Sequence, residues 1–198
     1  MKPQLSGGKH RDIRWLGGWI WIALLFPILF TFGGCKAPYE LKTAEGFVIE
    51  KYLGVWHQIA LLPNHFQKDC FSNTQAEYTY LDSTSISVLN SCRTKSGQKL
   101  SASGIAIAER IPANFARLKV SFVPKWLNWM PFVWGDYWII EIDSKYSSVL
   151  VGSPNRKYLW ILSRDRFIQK EVFQKYMRVA KEQGFDVSSL VYELSALR

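Results

Sequence analysis

Few side chains in this sequence could do covalent or metal chemistry, and they do not cluster. His57 and His65 stand in no Ser-His-Asp or Cys-His order. Cys35, Cys70 and Cys92 show neither the Cys-x-x-Cys nor the Cys/His spacing that would hold zinc or run thiol–disulfide exchange. Glu77, Asp136 and Glu141 would serve as an acid/base set only if the fold brought them together, and charged residues alternating along strands usually form a solvated face. The sequence therefore calls for no catalytic residue, no metal and no cofactor, and reads as a binding protein and not an enzyme. What remains is Cys35 directly behind Phe32-Gly33-Gly34, and a further pair of cysteines.

Lys2, Lys9, Arg11 and Arg14 precede an apolar stretch from Trp15 to Phe32, the order of a secretory signal. A cysteine immediately after two glycines resembles the lipobox of bacterial lipoproteins. That resemblance implies that residues 1–34 are a signal peptide and that Cys35 becomes an acylated N-terminus. It implies further that 35–45 tether a folded domain, 46–198, to a membrane. Lys36, where inner-membrane retention favours Asp, implies by the same resemblance the outer membrane, on its periplasmic side. An uncleaved anchor is the alternative, since 18 apolar residues are the lower limit for crossing roughly 30 Å of hydrocarbon. In an oxidising compartment Cys70 and Cys92 are then left to pair. Pairing Tyr80 with Ser85 around a turn brings residue 70 opposite about 95, and a bulge would bring 92 within reach.

The formal charge is +9, of which the leader accounts for a third, and no run of Lys or Arg exceeds two residues. A nucleic-acid groove would show a clustered basic stripe, so nucleic acid is excluded as a partner. Nine Trp and 15% aromatics exceed what one small core needs. A cavity wall or a membrane-facing loop would use the surplus.

Beyond residue 51 the chain reads as short strands at even spacing: 55–62, 74–80, 86–91, 100–110, 115–123, 137–142, 148–152 and 158–163. An amphipathic helix over 168–183, stopped by Gly184, and a last short strand at 190–192 follow. Eight antiparallel strands with regular turns predict an all-β, up-and-down barrel, a closed sheet with room for side chains or one small ligand.

Three local sequences sharpen this. Gly54-Val55-Trp56-His57-Gln58-Ile59-Ala60, Gly135-Asp136-Tyr137-Trp138-Ile139-Ile140 and Tyr158-Leu159-Trp160-Ile161-Leu162-Ser163-Arg164 resemble, in order, the motifs of the lipocalins. Among these the outer-membrane lipoprotein and apolipoprotein D branch is the most similar. The resemblance spans 46–194 and implies structural roles for Gly54, Trp56 and Arg164, with the Arg stacked on the Trp at the closed end. His57 stands where Tyr is commoner, and the stretch 124–134 is longer and richer in Trp than in many relatives.

Strand parity points a candidate ligand-binding set inward: Ala76, Tyr78, Val88, Asn90, Ala106, Leu118, Val120, Tyr137, Ile139, Tyr158 and Trp160, with Tyr80 and Phe122 continuing it. These could simply fill a solid core, although Gly104, Ala106 and Ala108 leave volume. By parity His57 faces outward and His65 lies near the rim. The loop bearing Trp126, Trp129, Met130, Phe132 and Trp134 either folds over the barrel as a partly exposed lid, the favoured expectation, or dips into a membrane interface. The combined expectation is a membrane-anchored carrier of a hydrophobic ligand, a lysophospholipid or fatty acid by the resemblance. An enzyme or haem handler on the same barrel, and a filled scaffold, stand as rivals. A homodimer is left open.

Overall fold

The computed structural model describes residues 40–109, 113–192 and 196–198. The leader and Cys35 lie outside the described residues. Residues Ala37–Arg198 form one compact unit.

A four-residue helix, α1 (Ile49–Tyr52), leads into eight strands: β1 (Gly54–Leu61), β2 (Ser72–Asp82), β3 (Ser85–Arg93), β4 (Lys99–Glu109), β5 (Asn114–Ser121), β6 (Gly135–Ile142), β7 (Ser148–Gly152) and β8 (Leu159–Ser163). Helix α2 (Lys170–Glu182) and a two-residue strand, β9 (Val191–Tyr192), complete the order. Each strand pairs antiparallel with its successor, and β1 pairs with both β8 and β2, closing the sheet into a barrel. The outer edge of β1 is shared: β2 takes residues 54–57, and β9 takes Ala60 and Leu61 where β2 has diverged. No stretch of β1 needed for closure is left as an open edge.

The period-2 alternation sorts side chains into two cores. The interior holds Trp56, Tyr78, Val88, Ala106, Leu118, Ile139, Val151 and Leu162. The outer one sandwiches Phe173, Tyr176 and Ala180 of α2 against Trp138, Ile140, Leu150, Leu159 and Ile161. Tyr176 fixes the helix further, its hydroxyl donating to the Ser148 carbonyl at 2.9 Å. Leu41 is buried in this outer core, and the Ala44 amide donates to the Ile139 carbonyl at 2.9 Å, so the chain already packs on the barrel within the 35–45 stretch.

The closed end is built around one cation. Helix α1 ends with carbonyls that have no intrahelical donor. The guanidinium of Arg164, just past β8, donates to those of Lys51 (2.9 Å), Tyr52 (3.1 Å) and Leu53 (2.8 Å), and to that of Val55 (2.8 Å). The same group lies 3.9 Å from the centroid of the Trp56 ring, whose indole N–H donates to the Tyr52 carbonyl at 2.7 Å. Gly54 sits beneath at φ +94, a conformation that strains any side chain, and an added Cβ would touch the guanidinium at 3.4 Å. The stack expected for Trp56 and Arg164 is thus present, with the helix-end carbonyls as a second function the sequence did not reveal.

Cys70 and Cys92 form a disulfide, with Cα atoms 5.5 Å apart. The expected slip is there: the β2–β3 register shifts between Ser72 and Gln75, where Asn73 adopts φ 51 and its side chain accepts from Arg166. The turn pairing is Tyr80 with Ile86, one residue off the expected Ser85, because a second shift falls before Asp82.

Two stability measurements follow. Arg164→Ala is expected to lower the urea-unfolding free energy by about 2–4 kcal/mol, since charged hydrogen bonds and the ring contact are lost together. Arg164→Lys, with a single ammonium for four carbonyls, should recover less than half of that. Cys70→Ser with Cys92→Ser should cost about 2–4 kcal/mol for a closed loop of this length; unchanged unfolding midpoints would contradict both.

Candidate ligand-binding site

The barrel interior is stratified. Near the closed end Ala76, Tyr78, Val88, Ala106, Leu118, Tyr137 and Ile139 are buried in contact with one another. Val120 and Trp160 pack against this layer but are only partly buried, and Asn90 and Tyr158 are half-buried above it. Nine of the eleven candidates lie in or pack against this interior cluster, and the buried ones among them form the barrel's own core. The upper members, only half-buried, form the part of the inner face that a ligand could reach. Tyr80, continued inward by parity, is exposed at the strand end, where the register shift before Asp82 releases it.

The volume expected from the small residues of β4 is partly taken. At Gly104 a Cβ would lie 2.7 Å from the Phe122 ring and 2.6 Å from the Ser121 carbonyl. Phe122 therefore covers that glycine at the mouth while remaining partly exposed. A separate concavity of about 790 Å³ lies at the other end, between residues 43–50 and the start of β5.

Two polar clusters bracket this upper interior. Below it the Tyr137 hydroxyl meets those of Tyr52 (2.8 Å) and Tyr78 (2.7 Å). Tyr52 reaches this point from α1, a helix too short to show any periodicity, so it escaped sequence reasoning. Burial drives all three phenols toward the neutral form: Tyr78 is pushed up to about 12, and Tyr52 and Tyr137 are raised well above 10. Above it Gln67, on a turn capped by Asn64, accepts from the Trp160 indole N–H (2.9 Å) and donates to Gln58 (2.7 Å). Rings run continuously between the two: Tyr78 to Tyr137 (6.2 Å), Tyr137 to Trp160 (6.1 Å), Trp160 stacked on Tyr158 (6.0 Å), and Tyr158 to Phe66 (5.4 Å). Neither Gln58 nor Gln67 carried a sequence signal, because their roles depend on where a loop folds.

His57 lies on the opposite face of β1 from Trp56, its pKa lowered by burial and by Arg166 nearby. His65 is exposed against Phe66 at the mouth. Neither packs among the interior residues. The 122–134 loop departs from the expected lid: Trp134 is tied down through its indole N–H to the Asn128 carbonyl (2.8 Å), but Trp126, Trp129 and Phe132 stand in solvent.

Residues 47–195 match the family described as Lipocalin-like domain. The chain belongs to this family. This lipocalin is 38% identical to temperature-induced lipocalin-1 of Arabidopsis thaliana over 76% of its own length and 81% of the relative's. It is 34% identical to the outer membrane lipoprotein Blc of Vibrio cholerae, over 80% and 90% of the two chains. Its fold is shared with insecticyanin of the tobacco hornworm Manduca sexta, with a TM-score of 0.60 at 20% identity over 79% of this chain and 87% of that one. Family membership carries the general role of a lipocalin, the binding of small hydrophobic ligands.

Tyr137 bonds both other hydroxyls of the trio, so Tyr137→Phe removes two buried hydrogen bonds and should cost about 1–3 kcal/mol, more than Tyr78→Phe. Because these phenols are raised in the folded state, their stabilising contribution is complete below pH ~10 and disappears as pH climbs through the folded values. Ultraviolet titration should therefore show Tyr78 ionising near 12, and Tyr52 and Tyr137 well above the usual tyrosine range, together with unfolding. Ionisation of all tyrosines near 10 in a folded protein would contradict the buried trio.

Proposed function

We propose that this lipocalin binds, stores or ferries a single-chain amphiphile, a lysophospholipid or fatty acid, in the bacterial envelope, held at the outer membrane by acylation of Cys35. The observation that carries the reading is the partly buried apolar wall of Val120, Trp160 and Tyr158 above a sealed floor. An acyl chain entering from the mouth would lie along Val120 and Trp160 and stop at Tyr78 and Tyr137. Its polar head would remain near Asn90, Gln67 and the rim. Transfer out of water contributes about 0.8 kcal/mol per CH₂, so a chain even partly inserted gains enough to bind. The relative named outer membrane lipoprotein supports both the compartment and the anchor.

Packing of the lower interior favours one rival, a barrel filled by its own side chains. Native mass spectrometry of residues 37–198, secreted into an oxidising compartment, separates the two. The carrier reading expects a co-purifying amphiphile, identified after extraction, and quenching of Trp fluorescence when lysophospholipid is added to delipidated protein. A clean apo mass with unchanged fluorescence would leave the fold intact and overturn the carrier reading.

A further inference from the structure

We infer that the open end of the barrel is a docking surface for an anionic lipid bilayer, independent of any acyl anchor. In an up-and-down barrel alternate connections share one end. The β1–β2, β3–β4, β5–β6 and β7–β8 loops therefore ring the mouth. Two of them expose five large rings: Phe66 (65%), Phe71 (62%), Trp126 (72%), Trp129 (79%) and Phe132 (79%). Isolated exposed apolar residues need no explanation, but five on one rim do.

The β5–β6 loop holds its rings out by construction. Its amides are spent internally, Leu127 on the Pro124 carbonyl (2.8 Å) and Met130 on that of Leu127 (3.0 Å). Asn128 anchors the loop, accepting from the Ser121 hydroxyl at 3.0 Å while its carbonyl takes the Trp134 indole. Trp126, Trp129 and Phe132 take no part in these bonds. The loop is thus shaped without burying them.

Charge selects the occupant. Exposed Lys68, Lys95, Lys99, Lys125 and Lys157 stand on or beside these four loops, against a single carboxylate, Asp69. Lys95 sits 5.9 Å from the Phe71 ring, so cation and aromatic are side by side. The opposite end mixes signs, with Glu45, Glu50, Asp82 and Asp165 beside Lys51 and Lys145. Trp at the headgroup level flanked by Lys is the chemistry of an interfacial membrane contact, and each basic residue adds attraction to anionic headgroups. A second copy of the chain would bring like charges together across the same face. Docked this way, the mouth opens directly onto the bilayer, and an amphiphile could pass without crossing water.

The test uses residues 37–198, whose closed sheet, two cores and disulfide are internal to the unit. Co-sedimentation is measured with vesicles of phosphatidylcholine alone and of phosphatidylcholine mixed with phosphatidylglycerol. The wild-type domain should partition onto the anionic vesicles, less so in high salt, and brominated acyl chains should quench its Trp emission. Trp126→Ser, Trp129→Ser and Phe132→Ser together should weaken partition by roughly tenfold or more, with the melting temperature and lysophospholipid binding in solution unchanged. If the triple variant does not fold, Trp129→Ser alone should still reduce the brominated-lipid quenching. Absence of wild-type binding to either vesicle, undiminished binding by the variant, or a dimer that forms instead of vesicle binding and dissolves in the variant would each overturn the inference. Loss of ligand binding with vesicle association intact would instead count against the carrier reading.

Discussion

A sheet rolled into a barrel has two ends at which its interior would meet water, and closing one of them governs the rest of this structure. The closed end is made by setting Arg164, just past β8, under the first strand's Trp56 and against the carbonyls that end α1. That single guanidinium ties together the start of the barrel, its end, and the helix preceding it. With the floor fixed in this way, Tyr52 is carried into the interior and meets Tyr137, which meets Tyr78. The hydroxyl trio gives the buried layer a polar ceiling that is satisfied internally. Only what lies above it is left to a ligand.

The upper half is built to a different rule. Its walls are half-buried, and the Gln67 side chain at the mouth is held by Trp160, Gln58 and Asn64. The disulfide between Cys70 and Cys92 holds the nearest loop to β3 and limits how far that mouth can spread.

Most of the fold was legible because period-2 alternation is a local signal. Each strand's inward residues could be named from Ala76-x-Tyr78 or Leu118-x-Val120 alone, and the amphipathic α2 showed its buried face through Phe173, Tyr176 and Ala180. What escaped were effects set by distant geometry. Tyr52 lies on four helical residues without a pattern, and Gln67 acts only because a loop folds inward. Gly104 looked like empty space until Phe122 was found across it. Parity also cannot say how deep along the barrel a side chain sits, so core residues and those of the half-buried upper interior were read as one set. The loop aromatics erred the other way: a surplus of Trp invites burial, whereas Trp126 and Trp129 remain outside.

On the proposed reading a ligand occupies the half-buried upper interior above Tyr137 and not the packed layer beneath it. Calorimetric titration of residues 37–198 with monomeric lysophosphatidylcholine, in the wild type and in Val120→Trp, addresses this most directly. Saturable one-to-one binding that Val120→Trp abolishes, with its melting temperature kept, is the expected result. Equal binding by both proteins, or none by the wild type, would contradict it.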